Sequence, residues 1–232
     1  MALVSPYFRS ISRISIWMVN LSIIGIFASV FLLILQFYES LQFLFTNVMD
    51  PILLDVEGDL VIIFSILGII TTIVMLIWFY RASKNIHSFG AKEVTSPIMA
   101  VVWWFVPILN FWRPYNVALE IYKASNPRII LSNGNEWKDS PSPKVVKLWW
   151  VLGIFFLFAY YIASFYWTFS GGSDYYLYQE QTVDLLSIYE KAFYSNFAYI
   201  TSNVIGIAST IFFIRMVKQI SSWQEIKAGI SI

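Results

Sequence analysis

Ser96–Tyr115 reads SPIMAVVWWFVPILNFWRPY, a stretch as apolar as a membrane span, with Pro107 in its middle and cationic segments on both sides. Ser96 followed by Pro97 has the form of an N-cap with proline at the first helical position, which favours a helix start. Pro107 then removes a helix hydrogen bond and clashes with the carbonyl four residues back. The freed carbonyls need partners, because lipid offers none. This predicts a Pro-broken helical segment over about 97–112 that enters the bilayer, or lies at its interface, and returns to the side it came from. The competing reading is a kinked helix that crosses a thin bilayer, since a segment of this length reaches ~24 Å at 1.5 Å per residue.

Working outward, the composition is that of a membrane protein: 58% hydrophobic, 19% aromatic and 12% charged. Four charge-free runs approach or exceed the ~20 residues needed to span hydrocarbon, over about 14–38, 60–80, 148–170 and 193–214. No polar stretch is long enough for a separate soluble core, so residues 1–232 read as a single membrane domain, all-α and integral to the bilayer. A cleavable signal peptide would need a shorter apolar region, so the first span is read as retained. Cysteine is absent, which excludes disulfides, thiolate metal sites and thiol nucleophiles.

The charges orient these spans. If 97–112 returns to its own side, Arg9, Arg13, Arg81, Lys84, Lys92, Arg113, Lys123, Arg128, Lys138, Lys144, Lys147, Arg215, Lys218 and Lys227 share one face, and only Lys191 lies opposite. Positive charge marks the cytoplasmic side, which places both termini there in a multi-pass protein of the cell membrane. Glu39 to Asp59 and Gly171 to Lys191 are acid-rich and are read as outside segments. Within the first, SLQFLFTNVMDPILL is apolar enough to lie along the surface, with Pro51 breaking any helix.

From Pro114 the pattern turns amphipathic. Val117, Ile121 and Ala124 fall on one side and Asn116, Glu120 and Lys123 on the other, a short cytoplasmic surface helix over about 114–125. Asn126-Pro127 ends it, and Ser132 to Pro143 reads as a polar loop.

Trp78, Tyr80, Arg81, Ala82 and Asn85, then Ser96-Pro97, Trp103-Trp104-Phe105, Pro107, Asn110, Arg113-Pro114-Tyr115, Glu120-Ile121, Ala124-Ser125 and Pro127 resemble the signature of a prokaryotic membrane family known as domain of unknown function 4328. The resemblance implies several spans around this block and no known activity. Pro97, Trp103, Trp104, Pro107, Pro114 and Tyr115 are its structural residues.

Two constellations stand out. Arg81 and Asn85 are four apart on a helix, and Arg113, Asn116 and Glu120 are spaced by three and four, so each set shares a face. Closure of the dip would bring them together around Pro107 and Asn110, as a ligand site for a phosphate or carboxylate, that of an anionic phospholipid headgroup or of a small anion. The plainer alternative is that Arg81 and Arg113 pair with Glu120 and only hold the dip in place. The second constellation is Ala198, Ser202, Gly206 and Thr210, small residues every fourth position that form a helix-packing groove. Its partner is another span of the chain, such as Gly25 to Ser29 or Ala159 to Ala163, or a second copy in a homo-oligomer.

Asp, Glu, Lys, Arg and His are missing from Ile14–Tyr38, Leu60–Tyr80, Leu148–Ser170 and Phe193–Ile214, which argues against an ion-coupled transporter. His87 is the only histidine and reads as a solvated loop residue. No metal site, cofactor, catalytic set or nucleic-acid patch is expected. The expected role is a non-enzymatic binding or assembly module whose cytoplasmic face engages anionic lipid or a membrane partner protein. The alternatives are a small channel or uncoupled permease with the dip as constriction, and a membrane enzyme using Glu120 or Asn110.

Overall fold

The computed structural model describes residues 8–47, 51–169 and 185–229. Six helices account for most of these residues: α1 (Ser12–Thr46), α2 (Pro51–Ser88), α3 (Met99–Val102), α4 (Arg113–Ser125), α5 (Lys144–Phe169) and α6 (Leu185–Lys227). No strand occurs among the described residues. Four helices are long and apolar enough to cross a membrane, within Ser12–Thr46, Gly58–Ser88, Lys144–Tyr166 and Phe193–Lys227.

These helices are longer than the apolar runs implied. With 35, 38, 26 and 43 residues, α1, α2, α5 and α6 extend about 39 to 64 Å, beyond a hydrocarbon core of about 30 Å. The extensions form because one face stays buried after the charges begin. On α2 that face is Trp78, Phe79, Ala82 and Ile86, and on α6 it is Phe213, Met216, Val217 and Ile220. His87 accordingly belongs to the last turn of α2 and not to a loop, and its Nδ1 lies 2.8 Å from Ser83 O.

The expected surface segment after Tyr38 is also corrected. Ser40 to Thr46 continue α1, which stops at Asn47 in the left-handed conformation (φ 54°), where its N–H bonds Phe43 O at 2.8 Å. Pro51, expected to break a helix, opens α2 from the first-turn position that proline tolerates. Asp50 and most of Gly171 to Lys191 lie outside the described residues, as do the side chains of Asp55 and Glu57.

The chain divides into two compact units. The first comprises residues 1–23, 68–151 and 210–232, and the second residues 24–67 and 152–209. The first unit has an apolar core of Ile11, Met18, Trp78, Phe79, Ile86, Val117, Ile121, Val146, Met216 and Ile220. Inside it, Trp78 Nε1 donates to Ser15 Oγ at 2.9 Å, and Ser15 and Ser221 share a short hydroxyl contact.

The second unit has far fewer buried apolar side chains among its described residues, Phe43 and Ala163. Its buried residues include Gln36, Glu39, Ser40, Ser195, Asn196, Ser202 and Ser209, whereas Phe27, Ile34, Ile62, Ile66, Phe155, Tyr161, Phe165 and Phe197 are exposed. Polar side chains inside and large apolar ones outside is the arrangement expected where lipid is the solvent and helices associate through small and hydrogen-bonding residues. Asn196 Nδ2 donates to Glu39 Oε2 at 2.9 Å and Asn203 Nδ2 to Gln36 Oε1 at 3.2 Å, joining α6 to α1. Glu39 is fully buried in α1. The lack of ionisable groups between Ile14 and Tyr38 therefore ends one residue short of a carboxyl group held inside the protein.

The small-residue groove of α6 packs on α5. Ser202 Oγ donates to Phe156 O at 3.3 Å, and a Cβ added at Gly206 would stand 2.8 Å from Phe156 Cδ2. Ala198 is half-buried on the same helix and Thr210 belongs to the first unit. Gly206→Leu should therefore force the Phe156 ring out of place and lower thermal stability in detergent by about 1–3 kcal/mol. Phe156→Ala in the same background should recover part of that loss. Unchanged melting of the single variant would remove this packing account.

Candidate functional site

The site is built around residues 89–143 of the first unit. Met99 N–H bonds Ser96 Oγ at 3.4 Å and Ala100 N–H bonds Ser96 O at 2.9 Å, so Ser96 caps the first turn as its position predicts. The helix then fails. α3 has 4 residues, its bonds shorten to the i−3 pattern at Trp104 and Phe105, and a 3₁₀ turn of 3 residues follows at Leu109–Phe111. Pro107 has no N–H, and its ring would clash with the carbonyl four residues back, at Trp103, in a continuous helix, which explains the break. The segment 97–112 is not among the helices long enough to span.

Aromatic rings hold this broken segment. Trp104 stands edge-on to Phe79 at 5.5 Å and to Trp150 at 6.0 Å, while Trp150 Nε1 donates to Phe111 O at 3.0 Å. Tyr115 lies 6.4 Å from Trp150, and Pro114 is buried in the first turn of α4. Arg113 places its guanidinium 5.1 Å over the Trp103 ring. Between these anchors Ile98, Phe105, Ile108 and Phe111 remain exposed, with Ile108 at 71%.

α4 is fixed along its buried face, which carries Val117, Ala118, Ile121 and Ala124, and by polar contacts at Glu120 and at its C-terminus. Glu120 accepts from Thr95 N–H at 2.7 Å and from Thr95 Oγ1 at 3.1 Å. At the C-terminus, Lys227 of α6 donates to Ala124 O at 2.8 Å, Ile129 O at 2.9 Å and Asn126 O at 3.3 Å, a cation placed where the helix dipole is negative.

The grouping of Arg81, Asn85, Asn110, Arg113, Asn116 and Glu120 separates under this geometry. Asn85 is buried: its Oδ1 accepts from Arg9 N–H at 3.2 Å, and its Nδ2 donates to Arg9 O at 2.9 Å and to Gln224 Oε1 at 2.8 Å. Gln224 Nε2 in turn donates to Ala82 O at 3.1 Å and Ser125 Oγ at 2.9 Å. The Asn85 amide thus ties the N-terminal segment, α2, α4 and α6 together instead of facing a ligand. Glu120 is taken by Thr95, and neither arginine pairs with it; the one ion pair among the described residues is Lys138–Glu93. Arg81 and Asn110 are half-exposed, and Arg113 and Asn116 are exposed. None of the six side chains bonds to another of the six.

Spacing missed two features. One is a clasp between the loops after α2 and α4: Lys92 N–H bonds Gly134 O at 2.8 Å and Trp137 Nε1 bonds Lys92 O at 3.1 Å. Gly134 has φ +92°, and a Cβ there would meet Gly90 O at 2.6 Å, so only glycine fits. The other is an open cleft lined by Tyr122, Val145, Arg215, Lys218, Gln219 and Ser222. Its signal was present in the sequence as Arg215, Lys218, Gln219 and Ser222 at helical spacing.

The fold and the site define a membrane protein, helical throughout its described residues, with four candidate spans and a proline-broken aromatic segment between the second of them and α4. The chain belongs to the family described as Domain of unknown function (DUF4328), whose model matches residues 57–222, from α2 into α6. No curated protein and no solved structure matches it.

Replacing Asn85 with leucine should leave Gln224 Oε1 and the Arg9 backbone unpaired in the core, and destabilise the protein by roughly 2–4 kcal/mol at ~1–3 kcal/mol per orphaned group. A melting temperature within a degree of wild type would contradict the role given to this amide. The clasp should also respond to acid. Lys138 holds the Glu93 carboxyl below the usual range through a hydrogen bond and its charge, and the Asn133 N–H does the same for Glu136. Groups whose acidity rises on folding stabilise above their unfolded pKa and lose that contribution as pH falls through the lower folded value. Amide exchange at Asn133 and Gly134 should therefore accelerate below about pH 4.5 beyond its intrinsic pH dependence. Protection that persists well below that point would contradict the assignment.

Proposed function

We propose that this protein is a non-enzymatic, multi-pass binding module of the cell membrane, with both termini cytoplasmic and a cytoplasmic face that engages anionic phospholipid headgroups. The observation that carries this reading is the broken segment 97–112. It offers Ile98, Phe105, Ile108 and Phe111 to its surroundings, and Arg113 at its end is held over Trp103 without a carboxylate partner. An apolar hairpin flanked by a stacked guanidinium is the chemistry of a shallow membrane insertion, with the apolar side chains among acyl chains and the cation at phosphate level. On this reading the segment dips and returns, α4 lies at the membrane surface, and the basic residues of the first unit share the cytoplasmic side.

A second reading, a small channel or uncoupled permease, is favoured by the polar interior of the second unit, where Gln36, Glu39, Asn196 and Asn203 face one another across α1 and α6. Those same hydrogen bonds serve helix association, which is why the binding module is preferred. Solute flux in proteoliposomes would favour the permease.

Topology is tested in a chain that has no native cysteine. Phe45→Cys, at a position 84% exposed, should react with a membrane-impermeant thiol reagent from outside intact cells, and Ile130→Cys only after permeabilisation. The opposite labelling would overturn the orientation and the dip together. Native mass spectrometry of the detergent-purified protein, exposed to equal phosphatidylglycerol and phosphatidylcholine, should show preferential retention of phosphatidylglycerol. Equal retention would sink the headgroup reading.

A further inference from the structure

The cleft between α4, α5 and α6 is the place where the first unit concentrates unneutralised donors. Arg215, Lys218, Gln219 and Ser222 sit at intervals of three, four and seven on α6 and so share one face, while Met216, Val217, Ile220 and Gln224 of the same helix are fully buried. Tyr122 of α4 and Val145 in the first turn of α5 complete the wall of a cavity of about 490 Å³, a size that suits a small ligand or a lipid headgroup. No acidic side chain lines it.

The electrostatics point the same way. The one ion pair among the described residues lies elsewhere, at Lys138–Glu93, so no carboxylate neutralises Arg215 or Lys218 there. Like charges three apart on a helix work against each other, and their juxtaposition favours a bound counter-ion. Arg215 is stacked with its guanidinium 5.7 Å over Phe212, which orders the group while leaving its N–H edges free. The Tyr122 ring is braced edge-on by Trp223 at 4.8 Å, and burial pushes its phenol pKa up, so it remains a neutral donor at physiological pH. The cleft therefore offers a forked cation, a point cation, a phenol, a hydroxyl and a carboxamide against one apolar wall.

We propose that this cleft is a binding site for the phosphate group of a phosphoester, with Arg215 and Lys218 as its charge partners and Tyr122, Gln219 and Ser222 as neutral donors. The site deepens the headgroup reading above and rests on it for the lipid source. The same phosphate chemistry is also carried by inorganic phosphate and soluble phosphoesters.

The test uses the full-length protein in a phosphate-free detergent buffer, with binding of dioctanoyl phosphatidylglycerol, dioctanoyl glycerol and inorganic phosphate measured for wild type and variants. R215Q/K218Q should bind phosphatidylglycerol about tenfold more weakly or worse, since two charge-assisted bonds are lost. The charge-matched K84Q/R128Q should stay near wild type, and Arg215→Lys with Lys218→Arg should recover part of the affinity in a chain of unchanged charge. Phosphate binding that is lost in the same double variant would support a soluble phosphoester, and lipid-only binding a headgroup. Wild-type affinity in R215Q/K218Q, or dioctanoyl glycerol binding as tightly as phosphatidylglycerol, would overturn the site. Should wild type prefer phosphatidylglycerol to phosphatidylcholine while R215Q/K218Q keeps that preference, the cleft fails and the membrane-surface reading stands.

Discussion

The amide pair of Asn85 and Gln224 is the contact on which the arrangement of the first unit depends. Each carboxamide can both donate and accept, so two side chains join four parts of the chain: the backbone of Arg9, the Ala82 carbonyl of α2, the Ser125 hydroxyl of α4, and α6 itself. A hydrophobic core alone is tolerant of sliding and rotation, whereas a buried polar network is satisfied in one register only. The surrounding core of Trp78, Phe79, Ile86, Ile121, Met216 and Ile220 excludes water, which makes any other register costly. α4 and the aromatic segment before it are consequently held at a defined position beside α2 and α6. Lys227 extends the same anchoring by donating hydrogen bonds to the carbonyls of Ala124, at the end of α4, and of Ile129, just beyond it.

The two units are built differently from the same four helices. In the first, a large apolar cluster with Trp78, Phe79, Ile121, Met216 and Ile220 is buried around the Asn85–Gln224 pair. In the second, hydroxyls, carboxamides and the Glu39 carboxyl are withdrawn, and isoleucine and phenylalanine are presented outward. Apolar burial stabilises the first unit, and it contributes less in the second, where few apolar side chains are buried. Close approach and hydrogen bonding take its place, which is what Gly206 against Phe156 and Asn196 against Glu39 provide.

That difference explains why the functional readings centre on the first unit. Its cations have few acidic partners, its proline-broken segment leaves apolar side chains unsheltered, and its cleft has donors and no carboxylate. Stacking on Trp103 and Phe212 orders two of the arginines without consuming their hydrogen-bonding edges. Under the proposed function, these groups take up a phosphate supplied from outside the chain.

Much of the fold was legible in the sequence because a bilayer imposes a length and a composition that can be read without contacts. The four spans, the N-cap at Ser96, the break at Pro107 and the buried face of α4 all rest on local rules, as does membership of the family signalled by Trp78 to Pro127. Helix ends were less legible. Charge marks where lipid ends, but the helix continues wherever a buried face continues, as at Ala82 and Ile86 or Met216 and Ile220. The ligand grouping failed at Asn85 for a related reason: spacing places side chains on a common face but does not say what that face meets. Whether Asn85 bonds a ligand or Gln224, residues 139 apart, whether Glu120 pairs with an arginine or with Thr95, and which wall Arg215 and Lys218 share with Tyr122 were decided only when the helices packed. One-dimensional order determines which residues are neighbours on a helix, and close packing determines which helices are neighbours of each other.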